Sequence, residues 1–261
     1  MKQDISQDAV AASTDTQIVI APHNERYITP EVRKRLPELR EKAHWVYHRL
    51  MEHYGEPTWR AHRPPLDELI ITTLAQNSTD RNALKAFRTL KERFPTWEDV
   101  LRARPEEVID AVRSAGLANQ KGPRIQAILR KLKEEQGDFD LSFLERMSTE
   151  EAEAWLTGIK GIGHKTASIL LLFNFQRPTF PVDTHVSRVS KRLGMAPPRA
   201  STRQIRAIWE TVVPPEWYYP LHLNLIRHGR EVCKARTPLC DQCVLQERCD
   251  TYQGIRRWEN A

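Results

Sequence analysis

The residue types that can do chemistry are concentrated in two stretches of this 261-residue chain. The first runs from Trp155 to Arg188, where the glycine turn GIKGIGHKTA is followed by PVDTH. Lys165 stands two residues after Gly163, and Asp183 follows eighteen residues later. A deprotonated lysine amine attacks electrophilic carbon and forms a Schiff base, while a nearby carboxylate stabilises developing positive charge or accepts a proton. Gly161 and Gly163 precede a helix start, an arrangement that leaves backbone N–H groups and the positive end of a helix dipole available to an anion such as a phosphate. The same glycines suit a plain helix–helix connection, and Asp183 suits the N-cap of the helix in VDTHVSRVSKRLG.

The second stretch holds every cysteine of the chain: Cys233, Cys240, Cys243 and Cys249, spaced C-x6-C-x2-C-x5-C. Two disulfides within so short a segment would tie down little else and are disfavoured in a reducing compartment, so a metal centre is the better account. Zinc usually takes two close pairs, whereas one CxxC with two outlying cysteines suits four thiolates around a bulkier iron–sulfur cubane; the spacing favours the cluster and leaves zinc as the alternative. Because four cysteines complete a site, His222 and His228 read as structural or phosphate-contacting residues. His185, beside Asp183, has the better claim to touch a nucleic-acid backbone. Lys234 and Arg236 lie between two cysteines, and taken singly each reads as solvated surface charge.

Helices must position these groups. From Pro30 to Tyr54 the apolar residues Val32, Leu36, Leu39, Ala43, Val46 and Leu50 recur at intervals of three and four, giving one long amphipathic helix or a pair broken before Pro37. After the proline-rich connection PTWRAHRPP, the periodicity predicts helices in LDELIITTLAQ and over 80–94, 96–102, 105–114, 119–135 and 149–156, with Asp80 and Thr149 as capping residues and no alternating strand pattern between them. The segment 166–175 is apolar on nearly every side, which requires a central helix. Further helices are expected in STRQIRAIWETVV, capped by Ser201 or Thr202, and in YYPLHLNLIRHGREVC. The fold class is therefore all-α.

Composition bounds the rest. A 40% hydrophobic content supports one large or two modest domains, and 40 basic against 34 acidic residues give a net charge of +6, which permits nucleic-acid binding without demonstrating it. No apolar run is long enough to cross a membrane, and the polar start MKQDISQDAVAASTDTQ lacks the apolar core of a signal peptide. A cytoplasmic protein is expected, nucleoid-associated if bacterial, with residues 1–25 as a disordered extension.

GIGHKTA followed by PVDTH resembles the helix-hairpin-helix DNA glycosylases, specifically the endonuclease III branch of base-excision repair, and the cysteine spacing is similar to that of the same family. The resemblance covers nearly everything except the first 25 or so residues. It implies a [4Fe-4S] cluster on Cys233, Cys240, Cys243 and Cys249, a lysine nucleophile at Lys165 and a catalytic aspartate at Asp183. Relatives specific for adenine carry a small hydroxyl residue at the lysine position and some thymine-mismatch relatives a tyrosine, so Lys165 resembles the bifunctional glycosylase and lyase type. Two loops, AQNSTD and SAGLANQKG, match loops that intrude into DNA in this family. Registering them makes Leu117 the wedge and Asn77 the gap-filling residue, with Gln76 its neighbour; the family often has glutamine at the filling position, so this chain departs from the pattern there. The basic loop carrying Lys234 and Arg236 corresponds to one that meets phosphates.

The resemblance further implies two helical lobes, a central barrel over 58–177 and a second lobe from 26–57 with 178–261, with Lys165 and Asp183 facing the cleft between them. The partner is damaged double-stranded DNA, bound by a monomer, and the expected reaction removes an oxidised pyrimidine and then cleaves the abasic site. A monofunctional glycosylase using water, and a catalytically inert iron–sulfur DNA-binding protein, are the alternatives.

Overall fold

The computed structural model describes residues 18–60 and 63–258, and among these every regular element is helical. The α-helices are α1 (Pro22–Glu25), α2 (Pro30–Tyr54), α3 (Pro65–Ala75), α4 (Asp80–Arg93), α5 (Trp97–Arg102), α6 (Pro105–Ala111), α7 (Ala118–Gln136), α8 (Thr149–Thr157), α9 (His164–Phe175), α10 (Thr184–Leu193), α11 (Thr202–Val212), α12 (Tyr218–Glu231) and α13 (Asp250–Gln253). The expected all-α class is observed, and no helix among the described residues is long and apolar enough to cross a membrane.

Helix starts follow local hydrogen bonding. Thr79, not Asp80, caps α4 by accepting from the Asn82 amide, and Ser148, not Thr149, opens α8 in a reciprocal capping box with Glu151. In both cases the expectation was one residue late, because neighbouring polar residues are equally good caps by type and only the turn geometry chooses between them. Ser201 caps α11. Pro37 is accommodated inside an unbroken α2.

Two buried apolar clusters organise the molecule. One is drawn from Leu66 to Leu171, and the other from the stretches Ile28 to Leu50 and Leu172 to Trp258. Helix α9 serves both: Ala167, Leu170 and Leu171 belong to the first cluster and Leu172 to the second. This is why its sequence is apolar on nearly every side, and why its first residues emerge where the two cores meet. A buried ion pair, Lys42 Nζ to Asp250 Oδ1 at 2.6 Å, ties α2 to the helix that follows the last cysteine.

The expected disordered extension over 1–25 needs correction at its end. Residues 22–25 form α1, Asn24 is buried, and its amide donates to Glu210 Oε2 at 2.9 Å. The partner lies far along the chain, so nothing local in the sequence signals the docking. Residues 1–17 lie outside the described residues.

Candidate functional site

The turn between α8 and α9 is built on Gly161, whose φ of 91° is left-handed and whose missing side chain makes room for the Arg124 guanidinium; a Cβ there would come within 1.9 Å of it. Gly163 is the N-cap residue of α9 and makes no side-chain cap, so the first amides of α9 are left for another acceptor. Lys165 follows in the first turn, exposed, and borders a narrow crevice with Ser168, Phe180 and Val182. The crevice brings the lysine against the segment that ends in Asp183.

Asp183 is 9% exposed and caps α10, accepting from the Val186 amide at 2.8 Å. One carboxylate oxygen is thereby engaged, which fixes the carboxyl group at the head of the helix. Behind it lies His222 on α12, 2% exposed, its Nδ1 donating to the Pro181 carbonyl at 2.9 Å. Burial pushes the His222 pKa down to about 4; the Asp183 charge opposes that fall and the Lys165 charge adds to it. One buried imidazole therefore lies within electrostatic reach of both Lys165 and Asp183. Its burial excludes the phosphate-contacting reading and leaves the structural one, with a position the sequence did not disclose.

A concavity of about 240 Å³ adjoins the crevice beside Lys165, between α1, α8 and α11, sharing His164, Arg203 and Arg206 with it and lined also by His23, Tyr27 and Glu153, but by neither Lys165 nor Asp183. Its charged groups are largely satisfied by one another: Arg206 bridges Glu153 and Glu210 at 2.7 Å to the latter, and Glu210 also receives the Phe180 amide at 2.8 Å. Through the Phe180 amide this ion-pair network holds the extended segment leading to Asp183.

The two loops singled out in the sequence have unusual backbones. Asn77 and Leu117 adopt φ of 51° and 50°, and both are exposed, Leu117 by 49%. Gln76 is held differently: its amide nitrogen reaches the Gly161 carbonyl (3.2 Å) and Thr166 Oγ1 (3.3 Å), and its carbonyl accepts from Arg124 at 2.6 Å. Arg124 was not singled out by the sequence, in which it is one arginine among many on an amphipathic helix.

All four cysteines are partly buried. Around them, Arg188 donates to the carbonyls of Cys233 (2.9 Å) and Gly229 (2.7 Å), and Arg192 to those of Lys234 (2.7 Å) and Ala235 (2.9 Å). Both arginines project from α10, the helix that Asp183 caps. Helices α10 and α12 approach closely at Gly229, where a Cβ would come within 2.9 Å of the His185 side chain. His185 is partly buried, with Nδ1 3.0 Å from Arg188, while Lys234 and Arg236 are exposed. His228 is buried against the cysteines, Nε2 3.5 Å from Cys243 Sγ and Nδ1 3.1 Å from the Tyr54 hydroxyl, so it too is removed from the phosphate-contacting reading.

The comparison with known proteins rests on these features. The model of the HhH-GPD superfamily of base excision DNA repair proteins matches residues 70–215, and that of the iron-sulfur binding domain of endonuclease III matches residues 233–249. Endonuclease III of Sulfolobus acidocaldarius is 38% identical over 186 residues, 70% of this chain and 81% of the relative. The chain belongs to the endonuclease III family. A putative DNA glycosylase of Arabidopsis thaliana is likewise 38% identical over 190 residues, 69% of this chain, although the match spans only 64% of the plant protein. Among solved structures, a non-covalent endonuclease III–DNA complex superposes with a TM-score of 0.72 at 27% identity, covering 84% of this chain and 98% of that one. A trapped endonuclease III–DNA covalent intermediate superposes with the same TM-score and identity, covering 82% and 97%.

Family membership brings a [4Fe-4S] cluster, and the donor set fits it. Burial pushes the Cys243 thiol up to about 11, the other three cysteines adding to the rise and the Leu245 amide opposing it. Cys249 is raised in the same way by burial, with the amides of Tyr252 and Thr251 opposing. Four thiols within one another's electrostatic reach, with backbone N–H groups aimed at sulfur, need a cationic centre to be held as thiolates, and iron supplies it. The match of residues 233–249 to the iron-sulfur binding domain of endonuclease III favours the cluster over the zinc alternative.

Proposed function

We propose that this family member is a bifunctional DNA glycosylase and abasic-site lyase that acts on duplex DNA carrying a damaged base, with oxidised pyrimidines as the preferred class. The observation that carries the reading is the convergence of Lys165 and Asp183 on the buried His222 at the meeting of the two apolar cores.

A stacked base is out of reach of any side chain, so the damaged nucleotide is rotated into the cleft between a lobe formed by 58–177 and one formed by 26–57 and 178–261. Leu117 wedges the stack and Asn77 occupies the vacated space. The tethering of Gln76 to Gly161, Thr166 and Arg124 supports giving that place to Asn77. Amides at Gly161 and Gly163 take a phosphate at the positive end of α9, and His185, Lys234 and Arg236 meet further phosphates.

Lys165, having given up a proton, attacks the anomeric carbon with its nitrogen lone pair, and the glycosidic bond breaks with its electrons leaving on the base. Asp183 stabilises the positive charge that develops on the sugar. The ring then opens to an iminium between Lys165 and the sugar; loss of a proton from the adjacent carbon expels the phosphate on the 3′ side, and water releases the lysine. Cys233, Cys240, Cys243 and Cys249 hold the cluster, whose part is to shape the basic loop between Cys233 and Cys240.

The test is borohydride reduction during turnover on lesion-bearing duplexes. A covalent protein–DNA adduct that requires Lys165 supports the reading. Base removal with no adduct would leave a glycosylase that uses water.

A further inference from the structure

The two DNA-facing loops share a single buried anchor. Lys121, on the first turns of α7, is 2% exposed, and its ammonium donates to the carbonyls of Leu74 at 2.7 Å and Ala115 at 2.8 Å. Leu74 lies three residues before Asn77, and Ala115 two residues before Leu117. Asn77 and Leu117 are in turn two of the three non-glycine residues with left-handed backbone in the described chain. A left-handed leucine that is also half exposed persists only where its surroundings over-determine it.

The chemistry of the anchor suits that task. Leu74 belongs to the last turn of α3, which has no basic residue of its own, so Lys121 supplies a cation to the negative end of that helix from outside. Among the described residues no carboxylate pairs with Lys121, and the buried charge is met by carbonyl oxygens alone. Burial holds its pKa down, and the charge of Arg124 adds to the fall. A charge solvated only by two carbonyls, one in the last turn of α3 just ahead of the Asn77 loop and one in the turn just ahead of Leu117, ties the roots of both loops at once, because withdrawing either would leave the ammonium under-solvated. One turn further along α7, Arg124 fastens the side chain of Gln76.

We infer that Lys121 is a positioning residue that joins the Asn77 loop and the Leu117 loop into one two-pronged element, so that wedge and filler enter the duplex together. This rests on the proposed roles of Leu117 and Asn77, and it makes extrusion of the nucleotide the step that depends on Lys121.

The experiment uses the full chain with its cluster. Lys121→Met keeps the stem and removes the donors. It should slow borohydride trapping on an abasic duplex by about tenfold or more while leaving trapping on a single-stranded abasic oligonucleotide within about twofold, since the single strand needs no wedge. Equal losses on both substrates would overturn the inference. Should Lys121→Met not fold, the exposed variants Leu117→Ala and Asn77→Ala decide: one element predicts that the double variant loses little more on duplex than either single, whereas multiplicative losses mean two independent loops. A binding readout separates this inference from the catalytic one. Preference for a duplex bearing a reduced abasic analogue over undamaged duplex should fall about tenfold in Lys121→Met even if no covalent adduct ever forms, and an unchanged preference would sink the role given to Lys121.

Discussion

The Nδ1 atom of His222 lies 2.9 Å from the carbonyl oxygen of Pro181, two residues ahead of Asp183. A carbonyl only accepts, so the imidazole is the tautomer with hydrogen on Nδ1, and its bond pins the backbone that presents the carboxylate.

Replacing His222 tests that pin. His222→Asn retains a donor and is expected to keep base removal within about threefold, whereas His222→Phe fills the space without a donor and should lower it by about tenfold or more, read under single-turnover conditions. The pH dependence has a definite sign. The His222 pKa in the folded protein, about 4, lies below the ordinary histidine value, so the unfolded chain binds the extra proton first. Its contribution to stability is complete above about pH 6.5 and is lost as pH falls towards 4. His222→Asn should therefore flatten the melting temperature against pH in that window. An undiminished slope would mean that other groups carry it.

Lys165 and Asp183 are assigned to different parts of one reaction, and their variants should diverge. Lys165→Ala is expected to abolish the trapped adduct and strand cleavage at an abasic site with little change in DNA affinity. Asp183→Asn keeps a capping side chain but loses the charge, so base removal should fall by roughly 10²-fold or more, with a smaller loss at a preformed abasic site. Equal losses on the two substrates would make proton handling for Lys165 the main role of Asp183.

Cluster loss should act through binding. Cys243→Ser is expected to bleach the broad visible absorbance of thiolate-ligated iron and to weaken duplex affinity by about tenfold or more, with a much smaller change in single-turnover rate at saturating DNA. Iron and sulfide analysis checks the first, and a rate loss larger than the affinity loss would contradict the second.

Lys234 is predicted to sit on a phosphate. Lys234→Ala should reduce the slope of log affinity against log salt by about 1 on undamaged duplex, measured across a salt series. A slope equal to that of the parent protein removes Lys234 from the interface.

What the sequence made legible were the residues whose signals are local. Lys165 and Asp183 stand out because a glycine turn and a capping position flank them, the cysteines because they are few and spaced, and α2 because its apolar residues repeat. The rest depends on contacts that leave no spacing behind. Lys121 and Arg124 look like ordinary basic residues of an amphipathic helix until their carbonyl and amide partners on other elements are known. Asn24 sits in an aperiodic polar segment that nothing suggests should dock, yet Glu210 holds it. The choice of Thr79 over Asp80 as the cap of α4 turned on which side chain faces the Asn82 amide, a matter of backbone direction rather than residue type.

Helix α10 carries Asp183 at one end and, through Arg188 and Arg192, the loop of the cluster domain along its length. Its ten residues make it a rod of about 15 Å. In the proposed reaction such a rod acts as a gauge: it sets how far along the DNA strand the sugar assigned to Asp183 must lie from the phosphates assigned to the loop. Inserting one residue in α10 would turn the carboxylate by about 100° relative to that grip. The chain would then hold DNA with its usual strength while addressing the wrong atom.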